Sequence, residues 1–123
     1  MLEKGLKFQS VTVVSEANTA LALGSGDMKV FATPAMVALM ENAAMLCVAE
    51  HLPEGSATVG TAISTSHIKA SPMGAKITAE AELVGIEGRC LDFRVTAYDE
   101  WGKIGEGSHT RFVVDRERFL SKL

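Results

Sequence analysis

The sequence predicts an α+β fold in which a curled antiparallel sheet wraps around one long helix. Two observations predict it. Residues Pro34 to Glu50 form an apolar run with a start signal, and no other segment is both as long and as apolar. Most of the remaining chain alternates apolar and polar residues, as strands with one covered face do. A single helix then serves as the cover.

Leu6 to Val14 alternates well enough for a first strand, with Leu6, Phe8 and Val11 facing inward. Thr19 to Leu23 reads as a short strand entering a turn at Gly24-Ser25-Gly26-Asp27. This loop leads straight into the helix and is placed to form a flap over its start. Thr33 stands at the N-cap position, where a hydroxyl can accept from a free backbone N–H. Pro34 follows at the first helical position, where its missing N–H costs nothing. His51-Leu52-Pro53-Glu54-Gly55 ends the helix.

Four strands follow. Ala57 to Ile68 is rich in threonine, valine and isoleucine. Ala75 to Ile86 sets Ile77, Ala79, Ala81 and Leu83 on one face. Glu87-Gly88-Arg89 is a hairpin turn. Cys90 to Tyr98 sets Leu91, Phe93, Val95 and Ala97 on one face, and Ile104 to Val114 is the last strand. A short helix from Asp115 to Leu123 closes a single domain, 1–123.

Composition excludes several classes. Hydrophobic residues make up 47% of the 123, enough for a packed core. A net charge of −3 with no basic run argues against nucleic acid and anionic membrane as partners. No stretch reaches the roughly 20 apolar residues of a membrane span. Met1 to Gly5 lacks the pattern of a secretory leader. Cys47 and Cys90 lack metal-ligand spacing, so no metal site is expected, and they read as free thiols in a reducing cytoplasm.

One residue breaks the helix pattern. Glu41 has Val37, Ala38, Ala44 and Met45 as its helical neighbours, all apolar. Burying a carboxylate is costly, so its presence there points to function. The helix is apolar around most of its girth, which implies burial on nearly all sides, by the sheet and by a second subunit.

Three motifs in order sharpen the picture. Val30-Phe31-Ala32-Thr33-Pro34 through Leu39-Met40-Glu41 opens the helix. Gly60-Thr61-Ala62 is followed by His67 and by Pro72 and Gly74. Gly105, Gly107, His109 and Arg111 alternate in the last strand. Together they resemble the fluoroacetyl-CoA thioesterase-like branch of the hotdog-fold thioesterases, from about Val11 onward. The resemblance implies a hotdog fold and hydrolysis of a small or short-chain acyl-CoA to free acid and CoA. It implies a catalytic threonine, glutamate and histidine at Thr33, Glu41 and His67. It places Gly60 near the substrate and matches Arg111 to a family arginine. No cofactor is implied beyond the CoA of the substrate. Leu23 to Lys29 lacks the aromatic lid residues of the fluoroacetyl-selective enzyme, so that selectivity is not expected.

The chemistry fits these residue types. Thioester hydrolysis needs donors for the developing oxyanion, and the first helical turn offers the Ala35 and Met36 N–H groups. Glu41 can activate water or attack the acyl carbon. His67 can orient Glu41 or water, or protonate the departing thiolate. His51 and His109 read as structural, and Met36, Met40 and Met45 as core or pocket lining. Lys69, Arg89, Lys103 and Arg111 are candidates to meet the CoA phosphates. Eight residues separate Thr33 from Glu41, about 12 Å along one helix. The site is therefore expected to bridge that gap by water and His67 or to pair groups across a subunit interface, in a homodimer or a dimer of dimers. Two other readings stand beside hydrolysis. Enoyl-CoA hydration pairs an acidic residue with a histidine five positions on, but Ala62 occupies that position before His67. A non-catalytic binder of acyl-CoA would share the fold.

Overall fold

The computed structural model describes all 123 residues. Strand β1 spans Lys7–Val13, helix α1 Ala20–Leu23, helix α2 Thr33–Ala49, and strand β2 Ser56–His67. Strands β3 (Lys76–Glu87), β4 (Cys90–Asp99) and β5 (Gly102–Asp115) and helix α3 (Arg116–Ser121) complete the chain. The strands form one antiparallel sheet in the order β1-β3-β4-β5-β2. The sheet curls around α2, as expected.

The alternation in β3 and β4 sets the core. Ile77, Ala79, Ala81 and Leu83 of β3 and Leu91, Phe93, Val95 and Ala97 of β4 are all buried. They pack against Met36, Met40, Ala43, Ala44, Cys47 and Val48 of α2. Small alanines alternate with large side chains, so the helix lies close to the sheet. Fully burying each large aliphatic or aromatic side chain contributes about 1.5–3 kcal/mol. A two-residue loop, Gly88-Arg89, joins β3 to β4, with Gly88 at φ +62°.

Two local expectations fail for identifiable reasons. Val11 faces outward and is exposed. The inward residue of β1 is Ser10, whose hydroxyl donates to Asn42 Oδ1 of α2 at 2.7 Å. A polar residue can face inward here because a helix residue meets it. Thr19 to Leu23 forms a helical turn instead of a strand. Thr19 accepts from the Ala22 N–H, and Gly24 closes the turn in the left-handed conformation. Capping chemistry at both ends outweighs the β-branched start. Within one chain the sheet covers α2 on one side, leaving the rest of the expected burial to a second subunit. Met45 and Leu46 are both more than a third exposed, because the sheet reaches just the stripe through Met36, Met40 and Cys47.

One end of the sheet is fixed by a buried acid. Asp99 accepts from Lys69 Nζ at 2.7 Å, from Ser71 Oγ at 3.0 Å, and from the Trp101 and Gly102 N–H groups. Burial alone would raise its pKa, but the bonds from Lys69, Trp101 and Ser71 outweigh it and hold the carboxyl below the usual range. This network ties the chain just after β2 to the β4–β5 turn. No helix is long and apolar enough to cross a membrane.

Candidate active site

Thr33 is not the N-cap of α2. Ala32 holds that position in extended conformation, and its carbonyl accepts the Met36 N–H at 3.0 Å. The helix therefore begins one residue earlier than expected, which frees the Thr33 side chain. Its Oγ1 lies 2.7 Å from His67 Nδ1 at the end of β2. The same bond to Ala32 removes the Met36 N–H as an oxyanion donor, and the Met36 side chain is core. The Ala35 N–H keeps no backbone partner, and neither does that of Thr33. These two are the free donors at the helix start, where the dipole favours negative charge. Assigning the cap to Thr33 hid its own N–H from the sequence reading.

Beside this pair lies a hollow of about 220 Å³, lined by Ala20, Ser25, Val30, Phe31, Thr33, His67, Lys69 and Ala70. Ala20 and Ser25 come from the segment expected as a flap. The lining carries one aromatic side chain, Phe31, which is buried.

His67 has an unusual setting. Burial pushes its pKa below the ordinary 6.5, with the Lys69 backbone opposing that shift. The ring is thus neutral at neutral pH and able to take a proton. A Thr33 hydroxyl that donates to Nδ1 leaves the ring proton on Nε2. That nitrogen is buried and has no hydrogen-bond partner within the chain. In that tautomer an acceptor, and best a carboxylate, would satisfy it.

Glu41 does not supply that acceptor within one chain. Its carboxylate lies over Gly60, where a Cβ would meet Glu41 Oε2 at 2.9 Å, His109 Cε1 at 3.2 Å and Arg111 Nη1 at 3.3 Å. Gly60 therefore leaves room for three functional side chains. Seven residues of β2 separate it from His67, about 23 Å of extended strand. The expected apolar setting of Glu41 is also incomplete, since His109 and Arg111 face it from β5. Glu41 makes no hydrogen bond within the chain.

Arg111 is anchored. Its Nε donates to Thr58 Oγ1 at 2.8 Å, Nη2 to Thr58 O at 2.9 Å and Nη1 to His109 Nε2 at 3.2 Å. Burial lowers its pKa, and the Glu41 charge opposes that. His109, expected to be merely structural, thus touches the Glu41 cluster. The alternation His109-Thr110-Arg111 was a signal that both residues share a face. Beyond Thr58, Met45, Leu46, Ala49 and Leu52 line a separate apolar hollow of about 340 Å³.

Among the candidates for the CoA phosphates, Lys69 is bound to Asp99 and Lys103 to Glu106. Arg89 stands with Arg118, Lys122 and Phe119 around a hollow of about 250 Å³ at the far end of the sheet. No three His, Cys, Asp or Glu side chains stand close enough to share a metal ion. Cys47 and Cys90 are free thiols, and burial pushes the Cys47 thiol pKa up.

Known proteins resemble this chain in sequence and fold. A family model described as fluoroacetyl-CoA-specific thioesterase matches residues 14–117. The fluoroacetyl-CoA thioesterase of Streptantibioticus cattleyicolor is 44% identical over 95 residues, spanning 77% of this chain and 68% of that protein. A solved fluoroacetyl-CoA thioesterase superposes with a TM-score of 0.92 at 38% identity, covering 99% of this chain and 95% of the other. A Thermus thermophilus protein described as a thioesterase superfamily member gives 0.90 at 26% identity, covering 98% and 89%. A hotdog-like protein from Thermanaerovibrio acidaminovorans shares the fold at 22% identity and a TM-score of 0.88, covering 97% and 88%.

Proposed function

The chain belongs to the fluoroacetyl-CoA-specific thioesterase family and is an acyl-CoA thioester hydrolase, and we propose that two copies share its working site. Thr33 and His67 come from one copy and Glu41 from the other. The observation that carries this reading is the buried, unpaired Nε2 of His67, set against a Glu41 carboxylate that bonds nothing in its own chain.

Strand β2 supports the pairing. It is an open sheet edge twelve residues long, with no proline and no acidic, lysine or arginine residue. Such an edge invites a second strand. In an antiparallel pair, directly opposite residues share a face. Pairing β2 with its own copy about Ser64 sets Ile63 opposite Thr65 and Ala62 opposite Ser66. The register of β2 against β5 skips Thr61, which bulges out between Gly60 and Ala62. With Thr61 skipped, the residue opposite His67 on the concave face is Gly60 of the second copy, about 4.8 Å away. Glu41 lies over that glycine. The exposed Met45 and Leu46 of α2 give the second copy an apolar surface to cover.

In this arrangement the thioester carbonyl oxygen accepts from the free N–H groups of Thr33 and Ala35. Glu41 takes a proton from a water that attacks the acyl carbon, or attacks it itself to give a mixed anhydride that water then hydrolyses to free acid and Glu41. The C–S bond breaks and CoA leaves as the thiolate, to which the proton taken from water is returned, with neutral His67 beside Thr33 as the group placed to relay it. A small acyl-CoA is the substrate we favour, because the relatives are described as acting on fluoroacetyl-CoA. Fluoroacetyl selectivity is not part of the proposal, since the segment Leu23 to Lys29 carries no aromatic lid. No cofactor is required beyond the substrate's CoA, and two free thiols suit a reducing cytoplasm.

The test is thiol release from acetyl-, fluoroacetyl-, propionyl- and butyryl-CoA. Turnover of at least one is expected, with Glu41→Gln and His67→Ala each lowering kcat by roughly 100-fold or more. No thiol from any of them, or release indifferent to both substitutions, would overturn the assignment.

A further inference from the structure

We propose that His109 is a positioning residue, a two-sided latch that holds the Thr61 bulge and the Arg111 guanidinium in place around the Glu41 carboxylate. The reading rests on the shared-site proposal only for its kinetic consequence.

The geometry fixes the role. Arginine only donates, so His109 Nε2 must accept from Arg111 Nη1. The ring proton then sits on Nδ1, which donates to the Ala62 carbonyl at 2.7 Å. That carbonyl follows directly on the bulged residue. Both ring nitrogens are thus used, one on each side of Gly60. The ring is 2% exposed and packs near Phe93, with centroids 6.2 Å apart. An apolar residue would fill the same space without needing either bond. The histidine contributes orientation: it sets the third bond of Arg111 and stops the bulge from relaxing.

The charges facing the ring agree. Burial lowers the His109 pKa below 6.5, the Ala62 bond opposes this, Arg111 lowers it further and Glu41 raises it. The ring is neutral at neutral pH, which keeps a lone pair on Nε2 for Arg111. Arg111 from β5 and Glu41 from α2 are the charged groups at the ring.

Three variants separate the two bonds. His109→Asn can keep a donor to Ala62 O but offers nothing to Arg111. His109→Gln can keep an acceptor for Arg111 but not the Ala62 bond. His109→Leu keeps neither. Expected kcat losses are on the order of 10-fold for Asn and for Gln and on the order of 100-fold for Leu, with KM within about twofold and secondary structure unchanged. Unchanged kcat in all three, or losses confined to KM, would overturn the latch, and the Asn and Gln variants serve if Leu does not fold. Ring-nitrogen NMR of the wild-type chain needs no turnover. It should show the Nδ1–H tautomer for His109, with the Nε2 signal moving in Arg111→Met. The opposite tautomer would overturn the latch even in an active enzyme. A wild type that turns over nothing would instead count against the thioesterase reading, leaving the NMR result to judge the latch.

Discussion

His67 does two jobs that pull in different directions, and its titration exposes both. Burial holds its pKa below the ordinary 6.5. Above pH 6.5 neither the folded nor the unfolded chain protonates it, so it contributes nothing to the pH dependence of stability. Below 6.5 the unfolded chain binds the proton first, and stability falls until pH passes the lower folded value. A facing carboxylate from a second copy would oppose this shift, so the clean test is in Glu41→Gln, where urea midpoints should drop between pH 7 and 5 and adding His67→Gln should flatten part of that slope. An identical slope in the double variant would show that His67 is not held neutral by the fold. Activity should fall over the same interval, because a protonated ring can no longer accept from Thr33.

At the level of elements, close approach between strands and helix decides which glycines matter. A Cβ on Gly107 would run into the Ser64 carbonyl and the Thr65 Cα across the β2–β5 pair. Backbone cannot give way, so Gly107→Ala should cost roughly 1–3 kcal/mol by chemical denaturation. A Cβ on Gly60 meets chiefly the tip of the Glu41 side chain, which can swing aside. Gly60→Ala should fold within about 1 kcal/mol of wild type yet lose kcat on the order of 100-fold. Equal effects of the two substitutions would contradict this division. The strands that carry these glycines were legible in the sequence, because Ile77 to Leu83 and Leu91 to Ala97 alternate without interruption. So were Thr33, Glu41 and His67, as a helix start, a misplaced charge and a strand histidine within recognisable motifs. The exact helix start was not legible, because a threonine before proline looks the same whether it caps the helix or turns toward another element. The proposed role of His109 was not legible either, because Gly60 within β2 hints at a bulge but not at which distant side chain holds it.

At the scale of the whole molecule, the proposed shared site makes a single chain half of the working unit. The sheet has one long, uncharged open edge, the helix has one uncovered apolar stripe, and the two parts of the chemistry lie about 23 Å apart along β2. In the proposed dimer the same second copy would resolve each of these. The decisive measurement mixes two inactive enzymes. Chains carrying Glu41→Gln and chains carrying His67→Ala are co-expressed and the mixed dimers isolated by differential tags. Each mixed dimer holds one intact pair, His67 from the first chain and Glu41 from the second. Such dimers should recover about half of the wild-type kcat per dimer, while either parent stays near background. Mixed dimers as inactive as their parents would place Glu41 and His67 in the same chain's site and contradict the account.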